Sequence, residues 1–158
     1  MSKITRKELL TYIDATPSAT ATYYVLGTDI EEQNVDMNYE VESKTNILGE
    51  ASINITNGIK TTTIDPYIAE SGTDLHDFLQ DIIDNKKELD DLITTIVEVK
   101  KWETPTSDSY PAIRKQVKIE ITAYGGDTEG YKIPFNLHFT GTQSVGNYDV
   151  VLDTFTAS

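Results

Sequence analysis

Apolar residues recur along this chain with two different periods, and the change between them predicts its architecture. Between Thr73 and Lys87 the apolar positions are Leu75, Phe78, Leu79, Ile82 and Ile83. Steps of three and four residues place all five on one stripe of an α-helix, so the spacing predicts an amphipathic helix over 74–87. Asp74 and Asp77 fall in its first turn and Lys86 and Lys87 in its last, each sign matched to the helix dipole. Thr73 or Asp74 can cap the N-terminus. The opposite face carries His76, Gln80, Asp81 and Asp84. One side alone can be buried, and a sheet is the surface it needs.

Elsewhere the period is two. Val35, Met37, Tyr39 and Val41 alternate with Asp36, Asn38, Glu40 and Glu42, predicting a half-buried strand over 35–42 with one acidic face. Ile53 and Ile55 alternate with Ser52, Asn54 and Thr56. Asn57-Gly58 then reads as a hairpin turn returning through 59–64. Further strands are expected at 21–26, 92–102, 113–124, 131–140 and 148–155, with a turn at Gly125-Gly126-Asp127 and loops at 43–50, 104–111 and 141–146. Leu9, Leu10 and Ile13 fit a short helix over 4–14 that ends before Pro17. The sum is a mainly β chain, a β-sandwich or partly closed β-barrel with one flanking amphipathic helix. The simplest division is a single domain over 1–158 with a short N-terminal arm, 1–20.

Charge narrows the function. The chain has 26 acidic and 13 basic residues, a net charge of −13. That balance disfavours general affinity for nucleic acid or anionic membranes, which both require basic surface. Self-association against such repulsion needs apolar or backbone contacts. The stretch from Asp29 to Glu50 alone holds seven acids and one lysine, yet its alternation argues for a solvated sheet face over a disordered tail. No apolar run is long enough to span a membrane. The opening residues lack the apolar segment of a signal peptide, so the expected site of synthesis and residence is a cytoplasm.

Candidate chemistry is sparse. There is no cysteine, and His76 and His138 are the only histidines, so a zinc site would need carboxylates from distant segments. His76 belongs to the polar helix face and His138 to a polar strand face. Residues 125–130 offer two carboxylates but lack the spaced oxygen ligands of a calcium loop, and read as a hairpin tip. No nucleophile–base order or phosphate-binding glycine pattern is present. The expectation is no catalytic residue, no metal and no cofactor.

Several of these pieces, in this order, resemble the major tail tube proteins of long-tailed, siphovirus-like bacteriophages. The carrying residues are Thr61-Thr62-Thr63-Ile64-Asp65-Pro66-Tyr67 leading into helix 74–87, then the strand 92–102 and the Tyr110-Pro111-Ala112 entry to a long strand. The Gly125-Gly126-Asp127 turn, Gly141, Gly146-Asn147-Tyr148-Asp149 and Thr154-Phe155-Thr156 complete the set. The resemblance implies a structural virion protein, resident in the tail after assembly in the host cytoplasm. Its subunits would form hexameric rings stacked into a tube through which DNA passes without specific binding. Its partners would be itself and other tail proteins. On that reading Asp36, Glu40 and Glu42 line the lumen, where an acidic wall keeps a polyanion mobile. The basic arm 1–16 and the terminal residues 153–158 would reach neighbouring subunits. The alternative is an acidic β-sandwich binding or adhesin module, for which an export signal is the missing feature; a carbohydrate-processing enzyme, working through paired carboxylates, is the weaker alternative.

Overall fold

Alternation over 113–121 produces the strand on which the fold is built. In the computed structural model, which describes residues 2–27, 30, 32–64 and 67–158, the chain runs through β1 (Leu9–Asp14), β2 (Tyr23–Leu26), β3 (Val35–Asp36), β4 (Glu40–Thr45), β5 (Ala51–Thr56) and β6 (Thr61–Ile64). The helix α1 (Asp74–Asp84) follows, then β7 (Ile93–Lys100), β8 (Ser109–Ile121), β9 (Gly125–Asp127), β10 (Gly130–Lys132), β11 (Phe135–Asp149) and β12 (Thr154–Ala157). Antiparallel pairing orders the main sheet β2-β1-β7-β8-β11-β6-β3, with β12 added to the far half of β11. The chain is thus mainly β, a curled half-barrel sheet with one helix, as the two periods predict. Asp65-Pro66, expected to end the strand before the helix, lie outside the described residues, as do Asp29 and Glu31 of the acidic run.

Residues on β8 and β11 serve two packing layers. On one face Val117, Ile119, Phe135 and Leu137 meet Ile13, Ile64 and Ile96 under the helix residues Leu75, Leu79 and Ile82. Phe78 and Ile83 pack at the margin of this core. On the opposite face Tyr12, Val97, Val99, Ala112 and Tyr148 form a second cluster. The register shifts between Phe139 and Gln143, where β11 carries two more residues than β8. This places 141–146, expected as a loop, inside β11. The strand expected at 148–155 is divided by a turn into the end of β11 and β12, with Asp153 at φ 52°.

Ile82→Ala should therefore cost about 2–5 kcal/mol, because Ile82 is sealed against the sheet. Phe78→Ala should cost less, since part of that ring remains wet. Denaturant unfolding of the unassembled chain measures both.

The helix is three residues shorter than the expected 74–87. Thr73 Oγ1 accepts from the His76 amide at 3.3 Å, as a cap should. At the other end Lys86 takes a left-handed φ of 49° and the Lys87 amide donates back to the Ile82 carbonyl at 3.2 Å, closing the last turn. Lys87 instead pairs with Asp81 at 2.6 Å.

The helix expected over 4–14 is absent. A short 3-10 turn at Arg6–Glu8 leads into β1, which is paired on both sides by β2 and β7, with Ile13 fully buried. Leu9, Leu10 and Ile13 satisfy helical spacing, but so does a strand buried on both faces, and six residues do not separate the two. Asp14 holds the return to β2, accepting from the Thr16 and Thr22 amides at 2.9 and 3.2 Å. The segment expected as an arm thus supplies an interior strand, and deleting 2–14 would open the sheet. Thr154–Ala157 is likewise tied to its own β11.

Candidate functional site

Two open surfaces among the described residues hold the expected site residues. The first is the β4–β5 hairpin, a separate two-stranded sheet. Val41 stands opposite Ile55 and Ser43 opposite Ile53, while Glu40 faces Thr56, Glu42 faces Asn54 and Lys44 faces Ser52. Directly opposed residues share a face, so the ribbon has one apolar side and one acidic-polar side. Every residue of both strands is exposed. Glu42 and Lys44 lie 3.3 Å apart, a solvated pair that adds little to stability.

The expected pairing of 53–56 with 59–64 through Asn57-Gly58 does not occur, because β5 pairs only with β4 and β6 joins β11 and β3. Gly58 serves close approach instead. A Cβ there would fall 1.6 Å from the Asn38 carbonyl oxygen. Asn38 adopts φ 50° and its Nδ2 donates to the Ile59 carbonyl at 2.9 Å and to Thr61 Oγ1 at 3.2 Å. Together they form the neck of the ribbon. The same neck breaks the strand expected over 35–42 into β3 and β4, so its side-chain period is not continuous. Glu40 and Glu42 share a face. Asp36 belongs to the main sheet and is not tied to them by register.

The second surface is the polar half of the sheet face opposite the helix. Asp36 pairs with Thr61, Thr61 with His138, and His138 with Lys118. One cross-strand row therefore mixes acid and base. His138 Nε2 lies 2.9 Å from Glu120 Oε1, and Asn136 Nδ2 donates to the same oxygen at 3.1 Å. These bonds, the histidine's first, hold the Glu120 carboxyl below its ordinary range. His138 thus sits on the polar strand face, as its alternation predicts. His76 is less simply polar. Its ring meets Tyr131 edge-on at 5.9 Å, and Nδ1 is enclosed without a partner among the described residues.

Residues 125–132 form the small β9–β10 hairpin, whose turn is Thr128-Glu129 and not Gly125-Gly126-Asp127. Lys132 Nζ donates to Asp127 at 3.1 Å and Glu129 at 3.0 Å, so the two carboxylates share an internal cation. Among the described residues no group of three or more metal-ligating side chains converges.

Residues 46–50, expected as part of a plain loop over 43–50, form the tip of the β4–β5 hairpin. The signal was present as Ile47-Leu48, an apolar pair enclosed by Asn46 and Gly49.

No protein-family model matches the sequence, and no curated protein is significantly similar to it. Solved structures are similar. A chain from the tail of an empty GTA particle, refined with helical and C6 symmetry, aligns over 98% of this chain and 100% of its own length, with TM-score 0.57 and 13% identity. The SPP1 tail tube, determined by solid-state NMR and cryo-EM, aligns over 92% of this chain and 77% of its own, with TM-score 0.56 and 14% identity. The chain has the fold that these phage-tail subunits have.

Proposed function

We propose that this chain is the structural subunit of a phage tail tube, assembling with itself into stacked hexameric rings that conduct DNA. The observation that carries the reading is the near-complete alignment with subunits of assembled tails. The surface supports it. A ribbon that exposes Val41, Ile53 and Ile55 together on a chain of charge −13 is costly to leave unpartnered and fits burial between copies. The location is the virion tail, reached after assembly in the host cytoplasm, with other tail proteins at the tube ends. The role is structural and needs no catalytic centre.

Within the tube we place Asp36, Glu40 and Glu42 on the lumen wall. Burying unpaired carboxylates is prohibitive, so each must face water, outside or in the bore. An acidic bore repels the phosphate backbone and keeps DNA sliding. DNA then passes without a specific contact.

Purified protein should form rings or tubes in negative stain, and more of them as salt rises, because ions screen repulsion between like-charged copies. A strictly monomeric sedimentation profile at high protein and high salt would refute the assignment and favour a monomeric binding module.

A further inference from the structure

We propose that the tip of the β4–β5 hairpin of one copy docks into the groove at the start of β1 and the end of β2 of the next. The inference rests on the tube reading and specifies the contact that would join its subunits.

The tip is built to stand out. Asn46 Oδ1 accepts from the Leu48 and Glu50 amides at 2.9 and 3.0 Å, and the Asn46 amide donates to the Glu50 carbonyl at 3.0 Å. Gly49 supplies the turn at φ 79°. This closed loop holds Ile47 and Leu48 outward at 102% and 77% exposure. A rigid, fully hydrated apolar pair has little ordering entropy left to lose on docking. Glu50 stands beside it.

The groove has the complementary composition. Its apolar part is Leu9 and Leu10 of β1, Val25 and Leu26 of β2, and Ile30. Its basic part is Arg6 and Lys7, and its volume is about 540 Å³. Arg6 is anchored there by donating to the Leu9 carbonyl at 2.6 Å and the Gln33 carbonyl at 3.3 Å. On so acidic a chain, two cations beside an apolar floor select an apolar knob carrying a carboxylate.

Tip and groove are different surfaces. The tip is residues 46–50, whereas the groove is lined by Arg6, Lys7, Leu9, Leu10, residues 25–27, Ile30 and Gln33, none of them in the hairpin. Six-residue strands carry the tip roughly 20 Å from its neck. A contact of this kind is head to tail, so it repeats from copy to copy and does not close a two-fold dimer.

The chain has no cysteine, so introduced thiols report only the designed contact. The double variant Val25→Cys, Leu48→Cys, treated with a short bismaleimide under assembly conditions, should give a ladder of covalent multimers. Leu48→Cys alone should stay monomeric, because equivalent tips do not meet. Leu48→Asp should cut the sedimenting fraction about tenfold or more with circular dichroism unchanged. Lys7→Glu should weaken assembly, and adding Glu50→Lys should restore it. Tubes without a ladder, tubes unaffected by Leu48→Asp, or dimers from Leu48→Cys alone would each overturn the docking while leaving the tube reading intact. Absence of any wild-type assembly would overturn both.

Discussion

Tyr148→Ala should destabilise the unassembled chain by about 3–5 kcal/mol, whereas Tyr148→Phe should cost only about 1 kcal/mol. Tyr148 is fully buried on the sheet face away from the helix. Its ring stacks on Tyr12 at 4.3 Å and meets Tyr23 edge-on at 5.7 Å, an arrangement that adds to simple burial. Gly146 lets β12 close over the cluster's edge, since a Cβ there would fall 2.2 Å from the Thr156 carbonyl oxygen and 2.8 Å from the Phe155 ring. Removing the ring leaves a cavity walled by side chains from four strands, which cannot collapse without moving the sheet. The hydroxyl matters less. It donates to Asp153 at 3.1 Å, and burial, with the Asp153 charge second, pushes its pKa up so that it stays protonated. Asp153 is exposed, so losing this donor leaves an acceptor that water can serve. Equal loss in the two variants, by denaturant unfolding at low salt, would place the stabilisation in the hydrogen bond and not in the packing.

This second cluster also marks where the sequence was hard to read. The helix stripe and the alternation of 113–121 were legible because each repeats within one element. Tyr12, Val97, Val99, Ala112 and Tyr148 come from four strands, so no local period reveals them. The face opposite the helix is wet around His138 and Lys118 and dry around Tyr148. The missed β1 has a similar cause, since a short strand buried on both faces carries no alternation. Strand 35–42 failed differently. Its pattern holds, but a left-handed Asn38 and the close approach of Gly58 break the backbone that the pattern presumed. Those are tertiary facts. The polar ribbon face with Glu40 and Glu42 was readable from residues, and the tip Ile47-Leu48 was readable but passed for loop.

The proposed lumen placement carries the largest expected functional effect. Changing Asp36, Glu40 and Glu42 to lysine should leave tubes intact yet make them hold DNA. All three side chains belong to exposed residues, so the fold loses no buried partner. Lys44 does lose its Glu42 pair, a solvated one of small worth. Each change reverses a charge, and repetition around every ring multiplies it along the bore. Each lysine that reaches a phosphate releases counterions, adding about 0.9 to the steepness of binding against log salt. Retention should therefore be strong at low salt and fade sharply as salt rises. The neck at Asn38 and Gly58 allows a finer division. The Glu40, Glu42 pair changed together tests the ribbon face, while Asp36→Lys tests the sheet row that already contains His138 and Lys118. The pair should have the greater effect, because it reverses two charges on one ribbon face where Asp36→Lys reverses one. Fluorescent DNA co-sedimenting with preformed tubes provides the measurement. Release from the triple variant as fast as from wild type, at low salt and with tubes normal in negative stain, would put all three residues on the outer surface.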